Sequence, residues 1–227
     1  FFPLDVICGY IDRIAALKLN HLHLHLTDDQ GWRIALTSRP ELAARASGTA
    51  ALGDEGGFYS ADDYAAIIAY AAERFVTVVP EIDVPSHTHA IGLAYPELAA
   101  DPVLADSVRE TVREFGGDLP ELGRPYTGFA VGFSSLRTGD ERTYDLLTDV
   151  FGELARMTPG PFLHLGGDAE QFGPHELDRR GARALGYGVG HLRDMAVGRI
   201  IKDQNLRHVR YSFCNYSEST RTISASS

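Results

Sequence analysis

Phe162-Leu163-His164-Leu165-Gly166-Gly167-Asp168-Ala169-Glu170 is the stretch on which the reading of this chain turns. Residues 162–165 have the mostly apolar character of a short strand; two glycines follow, then two acidic residues separated by Ala169. Glycine lets a backbone turn sharply where a side chain would clash. In a (β/α) barrel the C-terminal ends of the parallel strands hold the chemistry, so carboxylates delivered there are catalytic candidates. Acidic residues after glycines also occur in ordinary turns, and the rest of the chain has to decide between the two.

Two other segments have the same form. In residues 21–26, Leu22, Leu24 and Leu26 alternate with His21, His23 and His25, the period of a strand. A polar loop, residues 27–33, follows with Asp28, Asp29 and Trp32. Thr77-Val78-Val79-Pro80-Glu81-Ile82 reads as another strand, ending in Asp83-Val84-Pro85-Ser86-His87. Apolar residues at helical spacing predict helices over residues 4–17, 64–74 and 143–157, with a weaker one over 91–95. Ser60, two residues before Asp62-Asp63, marks a helix start. The glycine-rich sequence up to Phe58 and the mixture of acidic residues, Pro and Gly over residues 99–127 read as loops. Strands alternating with helices predict βαβ units on a parallel sheet, hence an α/β chain. No internal repeat stands out, and the one low-complexity tract is the Ser/Thr tail after Ser217.

Composition narrows the classes. With 227 residues, 44% hydrophobic and 23% charged, the chain suits one soluble globular domain spanning residues 1–227. A formal net charge of -10 argues against nucleic acid, which needs clustered Lys and Arg, but leaves a neutral sugar open. No apolar run has membrane-spanning length, so no membrane partner is expected. Cys8 and Cys214 are too few for a disulfide framework and lack metal-site spacing. The chain opens on Phe1 without a signal-peptide pattern, so the expectation is a processed product or fragment, soluble, its compartment unknown and secretion left open.

All three strands end in ionisable sequence: Asp28-Asp29, Asp83 with His87, and Asp168 with Glu170. Gathered carboxylates repel and raise one another's pKa values, a cost that a merely structural rim has no reason to bear. Glycosidic cleavage has a use for them: a proton donor, and a negative group for an oxocarbenium-like transition state. From another class, His21, His23 and His25 on one strand face could ligate zinc as in a metal-dependent barrel hydrolase. The simpler expectation is hydrogen-bonded barrel-interior histidines, with no metal and no cofactor. His89 and His175 are expected at the surface rather than as ligands, and Trp32 as a packing residue of its loop.

These residues also carry a resemblance. Lys18-Leu19-Asn20-His21-Leu22-His23-Leu24-His25-Leu26-Thr27-Asp28-Asp29-Gln30-Gly31-Trp32-Arg33 resembles the second-strand motif of the family 20 β-N-acetylhexosaminidases. Arg74-Phe75 and the run from Pro80 to His87 are similar to that family's third-strand motif, and Tyr126-Thr127-Gly128, Val131-Gly132-Phe133-Ser134 and His164 to Asp168 also match. The resemblance covers roughly residues 1–170, leaving 171–227, with Tyr211 and Tyr216, diverged. It implies a (β/α)8 TIM barrel, here incomplete, with the first strand missing and the last strands uncertain. It also implies release of terminal N-acetylglucosamine or N-acetylgalactosamine from glycans or chitooligosaccharides with retention, the substrate's 2-acetamido oxygen acting as nucleophile. Asp168 would then orient that acetamido group, while Asp28, Asp83, His87 and His164 support the site.

One departure matters. The family reads Gly-Gly-Asp-Glu where this chain has Gly166-Gly167-Asp168-Ala169-Glu170, so the general acid would be Glu170, displaced by one residue. In extended chain that is a shift of about 3.3 Å onto the opposite face. A catalytically impaired, carbohydrate-binding relative is therefore the alternative to an active hydrolase.

Overall fold

Helix α1, Leu4–Ala16, forms because Ile7 and Ile11 fall one turn apart and bury together, and it ends where Lys18 turns into the left-handed region at φ 64°. The chain then enters β1, His21–His25, whose Leu24 joins the core while the histidines occupy the opposite face. In the computed structural model, residues 1–167 are described in full, and 198–202 and 209–213 as backbone strands.

The expected polar loop after β1 is a small hairpin of β2, Thr27–Asp28, and β3, Gly31–Trp32. Within the glycine-rich region lies α2, Pro40–Ala46, which begins on a proline and buries Leu42, Ala43 and Ala46. Helix α3, Ala61–Ala72, starts at Ser60 with a capping box, Ser60 and Asp63 each accepting from the other's backbone N–H. Strand β4, Thr77–Glu81, follows, then α4, His89–Ala94. The loop expected over residues 99–127 contains α5, Asp106–Phe115, a helix with one buried residue, Val108, so its polar composition concealed it. Helix α6, Glu141–Met157, capped by Asp140, leads to β5, Phe162–His164.

Strands β1, β4 and β5 lie side by side and parallel, His21 to His25 pairing with Thr77 to Glu81, and Glu81 with His164. Each is separated from the next by helices, the arrangement of βαβ units. The parallel expectation fails at the other end of the sheet. Strands β6, Gly198–Lys202, and β7, Val209–Phe213, complete a five-stranded sheet in the order β1-β4-β5-β6-β7, and both join it antiparallel. Residues 203–208 connect them, and a connection that short can reverse the chain but cannot make a parallel crossover.

The core lies between the sheet and the helices: Leu24, Val78, Ile82 and Leu163 meet Ile11, Tyr64, Ile67, Leu146, Val150 and Leu154. Burying each such side chain stabilises by about 1.5–3 kcal/mol. Beyond the strands the ladder continues. Leu26 N–H donates to Glu81 O at 3.0 Å, Ile82 N–H to His164 O at 3.1 Å, and Val84 N–H to Leu165 O at 3.0 Å. The three segments that follow β1, β4 and β5 are thereby held at one rim. Among the described residues no helix is long and apolar enough to cross a membrane.

Candidate active site

Asp28 ends β2 at the rim, and its Oδ1 lies 2.9 Å from His87 Nδ1. His87 is held at φ 57°, a left-handed conformation costly for a non-glycine residue and found disproportionately at functional sites. Burial would lower the imidazole's pKa, but the Asp28 hydrogen bond and the charges of Asp28, Asp83 and Asp29 outweigh it and raise it to about 9. His87 is therefore an imidazolium at neutral pH. With Nδ1 committed to Asp28, Nε2 is the atom through which it can act.

Asp29 does different work. It opens the turn between β2 and β3, where it is buried and accepts from His89 N–H at 3.1 Å, Gly132 N–H at 2.8 Å and the Ser134 hydroxyl. Burial pushes its carboxyl pKa up, with Ser134 pulling the other way. Asp29 thus fastens residues 132–134 and the start of α4 beneath the rim, while Gln30 Nε2 donates to Gly128 O at 2.9 Å. The doublet Asp28-Asp29 read as one acidic feature is two: one carboxylate faces the site and the other anchors its wall.

Asp83 is buried, its backbone N–H bonded to Thr27 Oγ1 at 3.1 Å and its Oδ1 accepting from Gly167 N–H at 2.9 Å. Gly166 and Gly167 have φ of 69° and 96°, and a Cβ on Gly166 would fall 1.8 Å from Asp83 Oδ1. The glycine pair is required twice over, for its backbone conformation and for the room that it leaves the carboxyl group. Asp83 in this way grips the last residue before Asp168.

One turn of the pleat deeper lies a group that the sequence reading missed. Glu81 is two residues before Asp83 and shares its strand face; its Oε2 pairs with His23 Nε2, and its Oε1 lies 3.0 Å from His164 Nδ1. The His23 and His164 rings pack 4.5 Å apart. Burial alone would raise the Glu81 carboxyl pKa; the hydrogen bonds from His164 and His23, with His25 nearby, hold it well below the usual carboxylate range. His164 Nδ1 is also 3.0 Å from Gly166 N–H. One nitrogen cannot serve both: protonated it donates to Glu81, unprotonated it accepts from Gly166. The available signal was a charged residue inside an otherwise apolar strand.

Of the residues expected at the site, the structure brings Asp28, Asp83 and His87 to this rim and His164 to the level below it, while Asp168, Ala169 and Glu170 lie outside the described residues, as does His175. The three-histidine zinc reading is corrected. The ligand atoms of His21, His23 and His25 do not gather around one point among the described residues. His21 instead bonds Asn20 at 2.8 Å, and the donor groups that do lie within 4.8 Å of one another are His23-Glu81-His164, His25-Glu81-Asp83 and Asp28-Asp29-His87. His89, expected at the surface, is buried; its ring packs on Phe133 and Nε2 meets Arg124 O at 2.7 Å. Trp32 is fully buried, its Nε1 donating to Ile34 O, so it packs its own loop.

The profile described as "Glycosyl hydrolase family 20, catalytic domain" matches residues 1–195, past the last motif recognised in the sequence. A Beta-N-acetylhexosaminidase of Cellulomonas fimi is 42% identical over 197 residues, which is 86% of this chain and 35% of that protein. The solved structure of "A Glycoside Hydrolase Family 20 beta-N-Acetylglucosaminidase" superposes with a TM-score of 0.71 at 58% identity, covering 82% of this chain and 40% of its own. A Streptomyces plicatus beta-hexosaminidase mutant in complex with the product GlcNAc gives 0.65 at 42% identity, covering 82% of this chain and 33% of its own. This chain therefore spans about a third of the relatives that it matches, and within that span, on sequence and on fold alike, it belongs to the catalytic domain of glycosyl hydrolase family 20.

Proposed function

We propose that this chain carries the core of a β-N-acetylhexosaminidase site that releases terminal N-acetylglucosamine or N-acetylgalactosamine by a retaining, substrate-assisted reaction. One observation carries the reading: the Asp28–His87 pair lies within the field of Asp83, and Asp83 holds Gly167, the residue before Asp168. The names of the related proteins point the same way.

In the reaction the 2-acetamido oxygen forms a bond to the anomeric carbon as the bond to the leaving oxygen breaks, and an acid protonates that oxygen. Water then attacks the anomeric carbon from the face that the leaving group left, opposite the oxazolinium C–O bond. That bond breaks as the water's proton passes to the now deprotonated acid residue, and two inversions give overall retention. Asp168 would hold the acetamido group as it gains positive character. Glu170 would be the acid, with His87 and Asp28 setting the charge around it. Asp83 would position Asp168 through Gly167, and His164 would support the same turn from below. The site residues use no metal and no cofactor in this scheme. The substrates would be N-acetylhexosamine-containing glycans or chitooligosaccharides. On the same reading β1, β4 and β5 are consecutive strands of a (β/α)8 barrel to which residues 1–227 contribute as one domain.

Ala169 favours a second reading, a relative that binds the sugar without turnover; the intact set Asp28, Asp83, His87 and Asp168 favours the hydrolase. Hydrolysis of an aryl N-acetyl-β-glucosaminide by the full chain tests this. Turnover that survives Asp28→Ala and Asp168→Ala would refute the site. Glu170→Gln should harm substrates with poor leaving groups far more than activated aryl glycosides, and equal loss on both would sink Glu170 as the acid.

A further inference from the structure

The two carboxylates of the Asp28-Asp29 doublet reach the same histidine from its two ends. Asp28 holds the His87 ring through Nδ1, and Asp29 N–H donates to Asp28 Oδ1 at 2.7 Å, which ties the two carboxylates together. Asp29 holds the backbone that follows His87. Its Oδ1 accepts from His89 N–H at 3.1 Å and from the Ser134 hydroxyl, while Ser134 Oγ accepts from Thr88 N–H at 2.7 Å. A hydroxyl has one proton to give and two lone pairs to offer, so Ser134 serves both neighbours at once. Asp29, Thr88 and Ser134 are all buried, where an unmade hydrogen bond is costly. On the other side of His87, Leu136 N–H donates to Pro85 O at 2.9 Å and Ser86 bridges to Ser135. His87 therefore sits between fastened neighbours.

The backbone of His87 needs that support. At φ 57° a residue with a Cβ is strained, and a strained conformation persists only where its surroundings over-determine it. One hydrogen bond from a partly exposed carboxylate does not supply this, and at an ordinary φ the ring would swing away from Asp28. We propose that Ser134, through the Asp29–Ser134–Thr88 relay, is a positioning residue that keeps His87 in its left-handed conformation with its ring on Asp28. Ser134 lies 46 residues beyond Thr88, so only the fold brings it to this task. Its effect on the reaction passes through His87. The kinetic consequence rests on the hydrolase reading above; the fastening of His87 does not.

Ser134→Ala is the decisive variant because it removes the relay without removing a charge. The charged groups facing His87 are Asp28, Asp83 and Asp29, so Asp29→Asn would weaken proton binding by the ring even if no backbone moved. The His87 ring is titrated by nuclear magnetic resonance in the full chain, its signal assigned by its loss in His87→Gln. In Ser134→Ala its proton affinity should fall about tenfold or more, one pKa unit, and the Thr88 and His89 amides should exchange faster with solvent. Ser134→Cys, which keeps the volume and weakens both hydrogen bonds, should give a smaller fall, and it replaces the alanine variant if that chain does not fold. Gln30→Ala frees the wall at Gly128 but leaves the relay intact, so the His87 titration should not move. On an aryl N-acetyl-β-glucosaminide, Ser134→Ala should lower kcat about tenfold and shift the alkaline limb of the pH profile downward with the His87 titration. An unchanged His87 titration in the folded Ser134 variants would overturn the proposal, as would an equal fall in Gln30→Ala. If the unsubstituted chain turns over no substrate, the hydrolase reading fails by itself, and the titration still decides whether Ser134 positions His87.

Discussion

Two carboxylate–histidine arrangements sit two strand positions apart in depth, and they are built for different tasks. At the rim, Asp28 holds one imidazole, that of His87, through a single 2.9 Å contact, and the Asp28 side chain stays about a third exposed, at 32%. Below it, Glu81 spends both oxygens on imidazoles, His23 and His164, and only 10% of its side chain remains exposed. The deeper group closes on itself and ties β1 to β4 and β5. The rim pair leaves a protonated ring whose Nε2 has no hydrogen-bond partner among the described residues. Saturated pairing stabilises strands, whereas incomplete pairing at an exposed end is what lets a group act on a substrate.

The most damaging way to break the arrangement is at the turn that joins the two levels. Gly166→Ala places a methyl group on the Asp83 carboxyl and strains a left-handed residue, so kcat should fall by about a hundredfold or more, as misplacement near 1 Å does. Steady-state kinetics beside thermal unfolding measures it, and near-normal turnover would show that Asp83 does not position the Asp168 turn. Next come the two pairs themselves. Glu81→Gln removes the charge that two imidazoles serve and should cost about 2–3 kcal/mol in urea unfolding, with the activity of the folded fraction less affected. Asp28→Asn should do the reverse, with less than about 1 kcal/mol of stability lost and kcat lowered about a hundredfold. If both variants lose stability and activity in the same proportion, the distinction between the two levels collapses.

Acidity sharpens the comparison further. His87 binds its proton more tightly when folded, its pKa rising from an ordinary 6.5 to about 9. Its contribution to stability is therefore fully present below about pH 6.5 and is lost as pH climbs through 9. Glu81 has the opposite sign. Its lowered pKa gives stability above the ordinary carboxylate range that disappears as the solution is acidified. Unfolding free energies across pH 6 to 10 should fall in the unsubstituted chain, and that fall should flatten in His87→Gln. The smallest effect expected is that of Trp32→Phe, which keeps the packing and loses one hydrogen bond to Ile34 O, about 1 kcal/mol. Its KM should not move, and a raised KM would make Trp32 a sugar contact after all.

Much of this rim was legible before any fold was known. Strand period exposed residues 21–26 and 77–82, the paired glycines marked the turn after residue 165, and the acidic strand ends named Asp28, Asp83 and His87. Glu81 was hidden because a charged residue between Pro80 and Ile82 is indistinguishable in pattern from the solvent-facing position of a half-buried strand. Helix α5 was hidden because one buried residue, Val108, leaves no apolar stripe to detect. His89 was misplaced at the surface since nothing local announces that Phe133, more than forty residues away, will cover it.

The sequence by itself determined the local elements and the residue types at each strand end, because helix period, strand period, capping at Ser60 and glycine turns act over a few neighbours. Only the tertiary structure decided which carboxylate meets which histidine, that Asp29 turns inward while Asp28 turns to the rim, and that β6 and β7 join the sheet antiparallel. Those outcomes depend on register between strands far apart in the chain, and register is set by the packing of the whole core.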